Sequence, residues 1–322
     1  MKTGERSEAI DQYRGLAIVL MVVANFINDV EVVPPWVRHP TDVGLSVIDF
    51  IAPMFVFAIG LTFGASVRRR AVRDGLPRTV GHFFRRGMVL VGLGAIMGAG
   101  EIVTGVNEDG FNWGVLQALG VSIMLALPVL SWLVSCRIGV GLGLLGCYQA
   151  LLDGFWLDAV RTAPHGGLQG SLGWAAMMIL ATGVADLFLE TSPRSRRWGV
   201  GLSLGLVAAG LAIAAWVPIS KARVSASYVL ITLGTAGVLF AVTRLLVEAR
   251  GVRSAHLRAW GRNPLLLYLI HSVVLALFVL PPAPWWHVAA PWWLVLLQVA
   301  ALLFIMDRIA LWLERRRLVL TL

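Results

Sequence analysis

Charge is what this chain has least of. Only 14% of its 322 residues are Asp, Glu, Lys or Arg, and 58% are hydrophobic. Soluble domains carry about 25% charged and 45–50% apolar residues, so a water-soluble globule is excluded. Disorder or a coiled coil would need more charge, not less. Cysteine is also scarce: Cys136 and Cys147 alone build neither a disulfide scaffold nor a Cys-rich zinc module. No cluster has metal-ligand spacing, so no metal is expected. There is no tandem repeat and no low-complexity tract, and no stretch between the apolar runs is long enough for a soluble domain. The composition points to an all-α, multi-pass membrane protein with residues 1–322 as one integral-membrane domain.

A helix needs about 20 mostly apolar residues to cross roughly 30 Å of hydrocarbon. Ten windows qualify: 15–31, 46–66, 87–105, 113–134, 137–155, 172–189, 198–217, 227–247, 264–281 and 291–312. They are helical because a chain in lipid must satisfy its backbone polar groups internally. A β-barrel would show alternating strands of about ten residues instead. No small-residue cleavage site follows the first run, so it reads as a span and not as a signal peptide.

The net charge of +9 would suggest nucleic acid in a soluble protein. Here the expected partner is the lipid bilayer, and the charge reports topology. With ten spans and both termini on one side, that side receives Lys2, Arg6, Arg14, the seven arginines from Arg68 to Arg86, and Arg137. It also receives Arg194, Arg196, Arg197, Arg244, Arg250, Arg253, Arg258, Arg262, Arg308 and Arg315 to Arg317, making 23 of the 27 cations. Arg38, Arg161, Lys221 and Arg223 fall on the other side. The positive-inside rule puts both termini in the cytoplasm, and the expected location is a cell (inner) membrane. Trp285, Trp286, Trp292 and Trp293 read as an outer aromatic belt.

Ionisable residues inside spans are costly and are candidates for function. Asp307 with Arg308, Asp186 and Asp153 lie near span ends and read as interfacial anchors. Glu101 reads equally as a packing partner or a site residue, and Gln117, Gln149 and Gln298 as interhelical hydrogen-bond formers. His82, His256, His165 and His287 fall in connecting segments and read as solvated. The first two spans differ from the rest. Asn25, Asn28 and Asp29 share one face of the first helix, with Asn25 about 15 Å into the span. His39 and Asp49 then arrive together at the outer face. A histidine there can take a proton from an attacking amine or hydroxyl. A carboxylate on its other ring nitrogen fixes the tautomer, and an amide such as that of Asn25 can hold an oxyanion. A lone loop histidine is nonetheless most often an ordinary surface residue.

Two stretches carry a family likeness. The first is Ile10-Asp-Gln-Tyr-Arg14-Gly-Leu-Ala-Ile, then Asn25, Arg38-His39, and Gly44-Leu-Ser-Val-Ile-Asp49-Phe-Ile-Ala-Pro53-Met-Phe-Val-Phe-Ala-Ile-Gly60. The second is Trp260-Gly-Arg262-Asn263-Pro-Leu-Leu-Leu-Tyr268-Leu-Ile-His271. Together they resemble the heparan-α-glucosaminide N-acetyltransferase catalytic family, within the polytopic transmembrane acyltransferases. The resemblance implies an enzyme that uses acetyl-coenzyme A from the cytoplasm to acylate an extracytoplasmic saccharide acceptor, and it allows a homodimer. It implies His39 as the catalytic histidine and Asn25 as the active-site asparagine; the expected role of Asp49, from its position, is to orient His39. Two departures flank the acceptor site: Asp42 stands where the family often has Trp, and the turn after Asn25 reads Phe-Ile-Asn-Asp. No large extracytoplasmic N-terminal domain is expected.

Asn263 before Pro264 is a natural helix N-cap with proline at the first helical position. Tyr268 and His271 share a face about 6 to 11 Å in from that end. The resemblance assigns this region to a coenzyme A channel, and a helix start suits phosphate. Arg14, Asn263, Tyr268 and His271 are therefore candidate donor-binding residues. Arg68, Arg69, Arg70, Arg85 and Arg86 could hold the coenzyme's phosphates, although the positive-inside rule accounts for them without a ligand. The rival reading is a secondary transporter, or a flippase for a sugar or lipid-linked substrate. Such proteins commonly show related halves and paired interrupted helices, and neither is visible here.

Overall fold

The computed structural model describes residues 8–103, 112–280 and 284–319. Lys2 and Arg6, two of the cations counted above, lie outside the described residues. The helices are α1 (Glu8–Ile27), α2 (Ile51–Asp74), α3 (Leu76–Val103), α4 (Val115–Ala126), α5 (Val134–Leu151), α6 (Leu157–Arg161) and α7 (Gly167–Leu189). They continue with α8 (Pro193–Ile213), α9 (Ala226–Ala249), α10 (Ala255–Arg262), α11 (Pro264–Phe278) and α12 (Trp292–Arg315). A tight 3-10 turn, Val47–Phe50, leads into α2, and a π turn, Leu152–Trp156, joins α5 to α6. Among the described residues there is no strand.

Each of the ten apolar windows falls on a helix. Among the described residues, seven helical segments are long and apolar enough to cross a membrane, or eight if α10 and α11, bent by 86° at their junction, count as one. The window at 113–134 is the short α4, which ends in a 3-10 turn containing Pro128. The window at 198–217 lies on α8, whose first turn carries Arg194, Arg196 and Arg197.

The centre of the bundle is α7. In its apolar window 83% of residues are buried, against 17% in α3 and α12, whose faces are left for lipid. Its sequence explains this: Gly170, Gly173, Ala175, Ala176, Ala181 and Gly183 keep the surface small all round. Apolar helices in lipid associate by close van der Waals packing, which small residues permit. Around α7 stand α2, α4, α5, α8 and α9. Tyr13, Phe57, Phe188 and Phe240 join α1, α2, α7 and α9 in a cluster with ring centroids 5.5–6.2 Å apart. Such ring pairs add about 0.5–1.5 kcal/mol each beyond their buried area. The buried Tyr13 hydroxyl donates to the Ala236 carbonyl at 3.1 Å.

The two sequence stretches with the family likeness meet in space. Gly15 on α1 and Gly261 on α10 cross so closely that a Cβ on Gly15 would run into the Leu257 carbonyl, and one on Gly261 into the Asp11 carbonyl. Arg14 donates to the Gly261 carbonyl at 3.2 Å, and Gln12 accepts from the Ser254 backbone N–H. This joint lies at one end of the bundle. The same end holds Arg68 and Arg137 on Asp186, Arg244 on the Phe188 carbonyl, and Arg258 between Glu8 and Glu314. At the opposite end the loop before α2 is laced to the loop between α8 and α9. Gly44 N–H donates to the Ile219 carbonyl, and Arg223 forks onto Asp42. Lys221, Arg223 and Arg38, three of the four cations separated from the rest by sequence, belong to this second end.

Candidate active site

The site begins with a buried carboxylate. Asp49 sits in the 3-10 turn that opens α2, and its side chain is wholly buried. One oxygen, Oδ2, accepts from the backbone N–H of Ser46 at 2.8 Å and from its hydroxyl at 2.9 Å. The Asp49 carbonyl accepts from the Tyr228 hydroxyl at 3.0 Å. Ser46 thus holds the carboxylate and Tyr228 the backbone of Asp49, leaving Oδ1 for His39 Nδ1 at 2.5 Å.

An ionised carboxylate only accepts, so His39 carries its proton on Nδ1 and turns the Nε2 lone pair away from Asp49. About a third of the His39 side chain is exposed, and its backbone N–H donates to Asn28 Oδ1 at 3.3 Å. The His39–Asp49 pair has the geometry of an oriented general base: one nitrogen locked, the other available for proton transfer. Lys221 completes the cluster. Its Nζ lies 2.9 Å from His39 Nε2, 3.3 Å from Nδ1 and 3.8 Å from Asp49 Oδ1. Burial pushes the Lys221 ammonium down to about 8, against the pull of Asp49.

Asp42, one of the departures from the family pattern, is built into the wall of this site. Its carboxylate receives the Arg223 fork at 2.6 and 2.5 Å and the Ser220 hydroxyl at 3.3 Å. The Arg223 guanidinium holds the Asp42 carboxyl below its ordinary range.

Asn25 is not hydrogen-bonded to His39. Its amide Nδ2 lies 3.0 Å from His271 Nε2, and Asn28, just past the end of α1, is the residue that touches the His39 loop. His271 is buried and packs edge-on against Tyr268 with centroids 5.2 Å apart. Tyr268 in turn borders a small cleft with Glu101, Asn112 and Gln117 between α3, α4 and α11.

The other candidate donor-binding residues lie at the arginine-rich end and have protein partners. Arg68 makes a fork on Asp186 at 2.9 and 3.0 Å, and the buried Arg137 shares that carboxylate. Asp186, which reads from sequence as an interfacial anchor, is the hub of an ion cluster. Arg14 lies 3.6 Å from Asp11 and reaches the Gly261 carbonyl and the Thr62 hydroxyl. Arg86 stacks over Phe83 at 5.6 Å. Asn263 does occupy the cap position before Pro264, but its side chain makes no capping bond. It donates to the Leu318 carbonyl at 2.9 Å, tying that residue to the start of α11.

His287 corrects the reading of a solvated histidine. The segment before α12 folds back onto α1, burying the ring against Phe26 and Phe278, with Nε2 on the Phe26 carbonyl at 2.8 Å. His165 is half-buried, and His256 pairs with Asp307 at 2.8 Å. Sequence reasoning passed over Lys221, Tyr228 and Ser46. Only Ser46, three residues before Asp49, carried a local signal, as the first residue of a capping box.

Comparison with curated proteins returns no match. Residues 6–166, half of the chain, match the family described as heparan-alpha-glucosaminide N-acetyltransferase, catalytic. The match contains His39, Asp49, Asn25 and Asn28, while Lys221 and His271 lie beyond it. With this match over a bundle of apolar helices, the chain belongs to the heparan-α-glucosaminide N-acetyltransferase catalytic family, a family of transmembrane acetyltransferases.

Proposed function

We propose that this protein transfers an acetyl group from acetyl-coenzyme A, entering from the cytoplasm, to an amine or hydroxyl of a saccharide on the far side of the membrane. The observation that carries the reading is the His39–Asp49 pair at the arginine-poor end of a family member. Residue-level roles follow from the chemistry. As the acceptor's lone pair attacks the thioester carbonyl, its proton passes to His39 Nε2. Asp49 holds the Nδ1 proton and stabilises the imidazolium that forms. The tetrahedral intermediate collapses, the C–S bond breaks, and the coenzyme A thiolate recovers the proton from Nε2. Catalysis by one positioned base is typically worth 10²–10⁴-fold.

The donor would approach along the polar line on α11 and α1. Tyr268 and His271 line the approach, and the Asn25 amide, with a second N–H besides the one directed at His271, faces the developing oxyanion. The segregation of cations supports a cytoplasmic arginine-rich end, with both termini there, in a cell membrane. Arg14, Arg68, Arg86 and Asn263 lie at that end. With their protein partners in place, they offer the nucleotide end of the donor a positive field more than a set of free ligands. The test is binding of acetyl-coenzyme A to the purified full chain by thermal shift or calorimetry, with coenzyme A and ATP as controls. Saturable stabilisation beyond that given by ATP is expected. None at millimolar ligand would overturn the donor assignment.

A further inference from the structure

At the arginine-rich end, α8 opens with Arg194, Arg196 and Arg197 and has no acid in its first turn. A helix start carries partial positive charge, so this clustering is unfavourable unless an anion faces it. Of the three, Arg196 lines a cavity of about 370 Å³ between α8, α9 and the end of α7. Arg244 and Glu248 of α9 line the same cavity, and Val200, Ala241 and Leu245 give it an apolar wall. The volume is that of a small-molecule site.

Each arginine in this cavity keeps one terminal nitrogen unspent. Arg244 gives Nε to Glu248 at 2.7 Å and Nη1 to the Phe188 carbonyl, which leaves Nη2 without an acceptor among the described residues. Arg196 gives Nε and Nη2 to the carbonyls of Glu190 and Thr191 at 3.4 and 3.3 Å. Its Nη1 lies 4.0 Å from Glu248 Oε2, beyond hydrogen-bonding distance. Two guanidiniums against one carboxylate leave one positive charge in excess.

The surroundings of the cavity are those of a bilayer surface. α8 packs on α7 and α9, whereas the donor path proposed above follows α1 and α11. Leu245 is exposed, and so are Leu204 and Val242 further along the two helices towards the membrane centre. Trp198, two residues from Arg196, is exposed as well, as an aromatic at the level of the headgroups would be.

We propose that this cavity binds one anionic phospholipid, its phosphate between Arg196 Nη1 and Arg244 Nη2 and an acyl chain along Val200, Ala241 and Leu245. Glu248 is already engaged by Arg244, so a lipid with one net negative charge neutralises the site. A zwitterionic lipid leaves the excess charge uncompensated and brings its own ammonium beside the arginines. Basic pockets between membrane helices select anionic headgroups on these terms. The proposal does not depend on which reaction His39 performs.

The experiment is native mass spectrometry of the full chain in detergent, titrated with phosphatidylglycerol, phosphatidylethanolamine or phosphatidylcholine of matched acyl chains. The first phosphatidylglycerol should bind about ten-fold more tightly than either zwitterionic lipid, the scale of a charge-assisted hydrogen bond. Arg196→Gln should abolish that preference. Arg197→Gln removes the same charge from an exposed neighbour outside the cavity and should keep it. Ala241→Phe fills the seat of the acyl chain, leaves every charge in place, and should weaken phosphatidylglycerol binding. Equal affinity for the three lipids in the wild type overturns the proposal. So do equal losses in the two arginine variants, which would show only a general attraction to the basic surface, and unchanged binding in Ala241→Phe. Displacement of the lipid by ATP or coenzyme A also overturns it, in favour of a soluble nucleotide.

Discussion

Two buried aspartates mark the two ends of this molecule. Asp186 at the arginine-rich end is held by Arg68 and Arg137, and Asp49 at the other end by His39, Ser46 and Lys221. The charges are similar but the partners are not. Guanidinium groups stay charged at any working pH and present a rigid fork, so the Asp186 cluster can only hold helices together. It ties α2, α5 and α7 at one level. Imidazole and ammonium can both exchange protons, and here they stand 2.5 to 3.8 Å from the carboxylate and from one another. A carboxylate in apolar surroundings thus serves as a bolt or as part of a reaction centre, depending on whether its partners titrate.

The contrast yields predictions that separate stability from activity. The largest effect is expected for His39→Ala, which should lower acyl transfer by about 10²–10⁴-fold, with only a modest fall in melting temperature in detergent because Ser46 and Lys221 still hold the Asp49 carboxylate. Next comes the exchange of roles between the two acids. Asp186→Ala leaves two arginines without their carboxylate, one of them almost wholly buried. It should cost about 3–5 kcal/mol, seen as a fall in melting temperature, with turnover per folded molecule preserved. Asp49→Asn should do the reverse, keeping most of the stability and losing transfer through the wrong imidazole tautomer.

A smaller and more diagnostic effect is expected from pH. Below about 8 the Lys221 ammonium is charged and, lying 2.9–3.3 Å from both ring nitrogens of His39, opposes the imidazolium that forms during transfer; above it that charge is lost. Acceptor kcat/KM should therefore rise through pH 8 in the wild type. In Lys221→Arg, whose side chain stays charged, that rise should be absent. The neighbouring carboxylates titrate far below this range and do not contribute. The smallest change is expected for Asp42→Asn, which loosens a partly exposed ion pair worth about 1 kcal/mol or less. It should raise the acceptor KM more than it lowers kcat, because Asp42 tethers the Lys221 loop without touching the imidazole.

Much of the fold was legible because lipid imposes strong rules. Each apolar window lies on a helix, and the cations separate towards two ends as their sequence positions suggest. The shortfall against ten spans has local causes, Pro128 ending α4 early and arginines filling the first turn of α8. The core of the site was legible in part. His39 and Asp49 are ten residues apart across one short loop, so local geometry brings them together. Lys221 is 182 residues from His39 and has no periodicity or motif of its own, so it read as one more outer charge. Asn25 and His271 each stood out as polar residues in apolar helices. That they bond to one another, 246 residues apart, depends on how α11 bends away from α10 and packs on α1. His287 read as solvated because nothing near it in sequence reveals that Phe26 and Phe278 enclose it.

The most direct test of the central claim is transfer of radiolabelled acetyl from acetyl-coenzyme A to a panel of amino sugars and glycans. The purified full chain would be assayed in nanodiscs beside its His39→Ala variant. Acetylated product from the wild type, reduced at least a hundred-fold in the folded variant, is the predicted result. Equal product from both proteins would contradict the assignment of His39 as the base on which this account rests.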